Sequence, residues 1–197
     1  MNAQQIYRRV AGFTLVEVLV VVTIAAILAS MAVPSLRAAL LTNHLDTQSN
    51  QFIAALYVVR SEAIKSPGSV LWVNNASAGT NWSGGWSATA TPAGGAPVVL
   101  QVAAPMPATV TMYSSGGAAG AFGFDPMGRL VVATGTVPPP SLVFVFCANG
   151  STLAGSSRAV LVSPSGRVSQ AHIGRTGSAA GIPLKDDGAQ VTSCTAP

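Results

Sequence analysis

The stretch GFTLVEVLVVVTIAAILASMAV, residues 12–33, decides the reading of this chain. From Phe13 to Val33 it carries a single charge, Glu17. About 20 consecutive apolar residues are needed to cross the hydrocarbon core of a bilayer. A secretory signal that is cut away has a shorter apolar core, about 7–15 residues, followed by a small-x-small cleavage site. This run is too long for that, so it reads as a membrane helix that stays with the protein. Arg8 and Arg9 precede it, and Arg37 is the basic residue close behind. The positive-inside rule then keeps the N-terminus cytoplasmic and exports the rest.

Glu17 stands out because a carboxylate at the centre of a membrane helix costs about 2.5–3.5 kcal/mol, so it needs a partner or a function. Beyond the span, Pro34 lacks an N–H donor and is expected to kink or interrupt the helix. Helical periodicity then resumes. Leu45, Phe52, Leu56, Val59 and Ala63 recur at spacings that form one apolar stripe, with Asp46, Gln48, Asn50 and Arg60 off it. Ser66-Pro67-Gly68 reads as the helix stop. The expected organisation is a short N-terminal segment (1–12), a membrane helix (13–34), an amphipathic continuation (35–65) and a β-rich domain with a C-terminal tail (66–197).

Composition agrees with an extracytoplasmic domain. Of the 197 residues only 8% are charged and 49% are hydrophobic, with 20 Gly and 13 Pro. That is too little charge to keep a disordered tail solvated. The net charge of +4 includes Arg8 and Arg9, and the remainder does not by itself imply nucleic acid. The two cysteines, Cys147 and Cys194, form no C-x-x-C motif. In a domain that has crossed a membrane they read as one disulfide, the alternative being two unpaired buried thiols. Short β-prone runs at 70–74, 97–102, 109–113, 129–133, 142–147, 158–163 and 167–171 alternate with turn residues. Residues 74–95 and 114–120 read as loops, and Ser163-Pro164-Ser165-Gly166 as a hairpin turn. The fold class is α+β: one long N-terminal helix, then a small antiparallel β domain of two packed sheets.

Gly12-Phe13-Thr14-Leu15-Val16-Glu17, the apolar run and Pro34 resemble the leader of type IV pilins and type II secretion pseudopilins. The resemblance implies that a prepilin peptidase cuts between Gly12 and Phe13 and methylates the new amine of Phe13. It implies that Glu17 pairs with the N-terminal amine of a neighbouring subunit, two charges becoming tolerable together where each alone is costly. Four further blocks resemble the GspH/FimT family of minor pilins and pseudopilins: Arg60-Ser61-Glu62-Ala63-Ile64-Lys65, Trp82-Ser83-Gly84-Gly85-Trp86, Phe122 to Arg129 as a strand–turn–strand with Gly128 in its turn, and Arg158 to Val168 as a closing hairpin. Trp82 and Trp86 also read as core or sheet-edge packing, and Glu62 as a solvated residue paired with Lys65.

The chain carries no recognisable catalytic constellation. His44 and His172 have no third His or Cys ligand nearby in sequence, so neither a metal site nor a cofactor is expected. The leading function is a non-enzymatic filament subunit for type II secretion or type IV pili. Its partners are other pilins, the prepilin peptidase and the inner membrane. The alternative is a FimT-type minor pilin that binds DNA through a basic C-terminal region. Some members carry a G-R-x-R element where this chain reads Gly166-Arg167-Val168-Ser169, so Arg167, Arg175 and Lys185 are the candidate phosphate contacts.

Overall fold

The computed structural model describes residues 12–66, 70–76, 79–90, 95–115, 118, 120–132, 141–148, 156–174 and 181–195. It contains one helix, α1 (Leu15–Lys65), and among the described residues nine strands: β1 (Leu71–Asn75), β2 (Trp86–Ala90), β3 (Val98–Ala103), β4 (Val110–Ser114), β5 (Ala121–Phe124), β6 (Leu130–Val132), β7 (Leu142–Ala148), β8 (Ser157–Val162) and β9 (Val168–Gln170). The chain divides into two compact units, Met1–Leu40 and Leu41–Pro197.

In the first unit every described residue is exposed. Its helix has a mean hydropathy of 2.5 over its most apolar window, long and apolar enough to cross a membrane. The hydroxyls of Thr23 and Ser30 donate to the backbone carbonyls of Leu19 and Ile27, at 2.8 and 2.7 Å. Neither would therefore be left unpaired in a bilayer, where no water is at hand. The helix runs through Pro34 without a break, so the interruption expected there is not found. One missing N–H is tolerated because strong helix formers such as Leu36, Ala38 and Leu40 follow it.

In the second unit the predicted stripe is buried as read: Leu45, Phe52, Leu56, Val59 and Ala63, joined by Ser49 and Ala55. Each large apolar side chain so covered contributes about 1.5–3 kcal/mol. Residues off the stripe make tertiary polar contacts, and among them Tyr57 Oη donates to Val168 O at 2.7 Å. Asp46 accepts a two-pronged bond from Arg158 on β8, Nε to Oδ1 and Nη2 to Oδ2. Arg60 Nε donates to Gly128 O at 2.9 Å.

The strands form two antiparallel sheets. Sheet A has the order β3-β2-β1-β5-β6 and sheet B the order β4-β7-β8-β9. An aromatic cluster joins helix and sheets. Phe52 of α1 meets Trp86 of β2 edge-on at 5.6 Å, and Phe144 and Phe146 of β7 at 5.0 and 5.9 Å. Trp82 and Phe122 close on Phe144 from the other side, at 5.3 and 5.2 Å. The buried Trp82 Nε1–H finds Ser114 Oγ at 2.9 Å, as a buried indole requires. Both tryptophans are thus core residues.

Every residue of β7 is buried, on both faces. Its inward side chains, Leu142, Phe144 and Phe146, join the main core. Its outward ones, Val143, Val145 and Cys147, form a second cluster with Ala159, Leu161, Ala171 and Val191, against which Cys194 packs. The C-terminal segment therefore lies over the outer face of sheet B. Ala171 N donates to Ala159 O at 2.8 Å, and isolated bridges join Ile173 to Pro183 and Leu184 to Gln190.

All seven predicted strands appear, with ends shifted by a residue or two; residue 133 lies outside the described residues. The reading of 74–95 as a loop is overturned: β2 lies inside it, pairing with both β1 and β3. β5, outside those runs but implied by the strand–turn–strand block at Phe122 to Arg129, pairs with β1 and β6.

Candidate assembly site

α1 starts at Leu15, which makes Thr14 its N-cap. Thr14 Oγ1 accepts from Glu17 N at 3.2 Å, while Thr14 N and Oγ1 both donate to Glu17 Oε2 at 2.9 Å. This is a capping box, in which the cap side chain and the third helical residue satisfy each other's backbone donors. The sequence reading gave Glu17 a role toward a neighbour and missed this local one, although T-x-x-E before an apolar run signals it. Both bonds land on Oε2. Phe13 is 88% exposed, and no neighbour would meet a Cβ added at Gly12. Residues 1–11, with Arg8 and Arg9, lie outside the described residues.

Three of the four family-like blocks meet at a second place. In the β5–β6 turn Gly128 N donates to Asp125 O at 2.8 Å, and Asp125 Oδ1 accepts from the backbone of Met127 and Arg129 at 2.9 and 2.8 Å. In the β8–β9 turn Gly166 N donates to Ser163 O at 2.8 Å. Leu130 N then reaches across to Pro164 O at 3.1 Å, tying sheet A to sheet B. Arg60, from the last turns of α1, donates to the Gly128 carbonyl between the two turns. Gly128 and Gly166 have φ of +72° and +76°, where an L side chain is strained. A Cβ on Gly166 would also collide with Gly128 O. The turns meet backbone to backbone because both glycines lack side chains.

Burial works against the charge on Asp125, but the hydrogen bonds from Arg129 and Met127 and the Arg129 guanidinium outweigh it. They hold its carboxyl below the usual range. Arg129 Nε sits 2.9 Å from Asp125 Oδ2. Lys65 pairs with Glu62 at 2.8 Å, both solvent-facing, as read from the sequence.

Cys147 and Cys194 form a disulfide with Cα atoms 6.0 Å apart, which fixes the end of the tail over β7. Of the candidate DNA contacts, Arg167 is exposed in the β8–β9 turn and Lys185 is half-buried in a tail turn beside Asp186 and Asp187. Arg175 lies outside the described residues. His44 and His172 are both exposed, and among the described residues no three His, Cys, Asp or Glu side chains come together as a metal site would require.

Two family models match. One, the prokaryotic N-terminal methylation motif, covers residues 7–33. The other, type II transport protein GspH, covers residues 48–166. No curated protein matches the chain. Among solved structures the chain is similar to the type IV minor pilin FimU of Pseudomonas aeruginosa strain PAO1, at 25% identity and a TM-score of 0.52 over 65% of this chain and 88% of that one. A second crystal form of FimU aligns at 24% identity and a TM-score of 0.49, over 64% and 91%. The GspH model takes in the α1 stripe from Ser49 onward, Trp82 and Trp86 and both glycine turns, more than half of the sequence, and the chain belongs to the GspH family of type IV pilin-like proteins.

Proposed function

We propose that this protein is a structural subunit of a pilin-like filament, held in the inner membrane by residues 13–34 before assembly. The observation that carries the reading is the first unit. Its apolar helix has no buried residue within the chain, so something outside the chain has to cover it. Lipid does so before assembly, and the helices of neighbouring subunits do so afterwards. Glu17 and the amine of Phe13 make that exchange specific. The capping box commits Oε2 to the helix's own start, and the carboxylate's charge is left to answer the amine of an adjacent subunit. The 66–197 domain faces the periplasm, and the filament serves type II secretion or a type IV pilus, machines that share this leader chemistry.

The test combines processing with incorporation. In cells with an active prepilin peptidase, mass spectrometry of the purified protein is expected to begin at N-methyl-Phe13. Glu17→Ala is expected to insert in the membrane at least as well as the parent, because it removes a charge from lipid, and yet be missing from sheared filaments. Recovery of protein that still begins at Met1, or normal incorporation of the variant, defeats the reading.

A further inference from the structure

Sheet A ends at β3, and among the described residues no strand pairs with its outer edge. Val98, Val99, Leu100 and Val102 are 45–70% exposed there. Proteins that leave a strand edge open usually protect it with lysine or another charge. Here no Asp, Glu, Lys, Arg or His occurs anywhere in residues 66–124. The register sets Gln101 opposite Ala88 and Ala103 opposite Trp86, on the core-facing side; Val99 and Val102, opposite Thr89 and Ser87, take the other side. Gln101 Oε1 is buried and accepts no hydrogen bond. It lines a cleft of about 550 Å³ whose far wall is α1, with Gln48, Gln51, Ala54 and Val58.

These features narrow the occupant. An open edge offers backbone donors and acceptors, which hydrocarbon cannot answer, and a stretch without cations offers nothing to phosphate. Another extended polypeptide answers both the edge and the orphaned acceptor, and it must be uncharged to lie against this one. The cleft wall, Gln48 to Val58, belongs to the same helix whose preceding residues the proposed assembly covers. Two β3 edges joined about a two-fold axis would close after two copies, which a growing filament cannot use.

We propose that the outer edge of β3 receives an extended, uncharged segment of the next filament subunit as an added strand, with side chains of that segment entering the cleft beside Gln101. The proposal rests on the filament reading above. The test uses the full-length protein in its native cells, with the parent's presence in sheared filaments measured first. A photo-crosslinking amino acid is placed at Val99 or Val102, and at the exposed Met127 for comparison. The expected result is an adduct from 99 and 102, not from 127, that peptide mapping assigns to an extended segment of another pilin-like subunit. Val99→Lys with Val102→Lys is expected to lower incorporation about tenfold while the thermal melt of the domain stays unchanged, since both side chains face solvent. No adduct, an adduct to a non-pilin protein, one joining β3 to β3 of a second copy, or full incorporation of the double-lysine variant overturns it. If the parent itself never enters filaments, the filament reading fails and this proposal with it. If the parent enters and β3 stays silent, only this proposal fails.

Discussion

Replacing Gly166 by alanine is the sharpest probe of how the two turns and the helix are joined. The residue sits at φ +76°, where an L side chain costs about 1–2 kcal/mol. Its new Cβ would also strike Gly128 O, the atom that accepts Arg60 Nε at 2.9 Å. Moving that carbonyl sacrifices a charged hydrogen bond, about 1.5–3 kcal/mol. The expected loss is therefore about 2.5–5 kcal/mol. Gly188→Ala is the matched comparison. It has φ +81° but no atom within 4 Å of the added Cβ, so only the backbone cost applies, about 1–2 kcal/mol. The measurement is urea unfolding of the 41–197 fragment under oxidising conditions. That fragment contains every buried residue described here and forms a compact unit of its own. If the two variants lose the same stability to within about 0.5 kcal/mol, the turns do not meet as described.

Three further outcomes are expected. Reducing Cys147–Cys194, which closes a separation of 47 residues, should cost about 4 kcal/mol by the chain-entropy estimate. It should also raise binding of an apolar dye as Val143, Val145 and Leu161 are uncovered; two free thiols in periplasmic protein would refute the bond. Because the Asp125 carboxyl is held below its usual range in the fold, it stabilises the domain above the ordinary carboxylate pKa, and that contribution is lost as pH falls through the folded value. Asp125→Asn should then be less stable at neutral pH and lose less on acidification, read from melts between about pH 7 and 2; equal losses would show that the pair contributes nothing. The 41–197 fragment should give a weak gel shift with DNA at low salt or none, since Asp186 and Asp187 directly follow Lys185. Tight binding, with a log–log salt slope near about −2.7 for three phosphates, abolished by joint Arg167→Ala, Arg175→Ala and Lys185→Ala, would make the protein a DNA receptor.

What could be read from the sequence was what repeats locally. The membrane run is uniform and the stripe of α1 has a helical period, so both stand out without tertiary information. β2 does not, because WSATA presents Trp86 and two small alanines, Ala88 and Ala90, to the core, and small hydroxylated residues look like a loop. In β5, Gly123 looks like a breaker. The structure uses it because a Cβ there would come to 2.5 Å from Leu71 O on β1, so a larger residue would push the strands apart. The tail was illegible for a different reason. Ala171, Val191 and Cys194 are isolated in sequence, and they form a surface only when set against the outward residues of β7. The glycine turns were legible as turns; that they touch each other and Arg60 was not, because nothing in one hairpin encodes the position of another.

The polar ties of α1 also set a timetable. Arg60 waits for a partner 68 residues later, Tyr57 Oη–H for the Val168 carbonyl 111 residues later, and Asp46 for Arg158 at a distance of 112. If the chain is exported behind its N-terminal helix, as the proposed function requires, it presents the buried stripe long before those partners arrive. Long-range closures of this kind are slow, because the entropy of the intervening loop is lost before any contact compensates for it. During that interval the apolar stripe and the unpaired strands are open to proteases and to wrong partners. Under the function proposed above, tethering to the bilayer gives each chain a fixed address and keeps it apart from its siblings while it waits, so the anchor would act as a folding aid before it joins any filament.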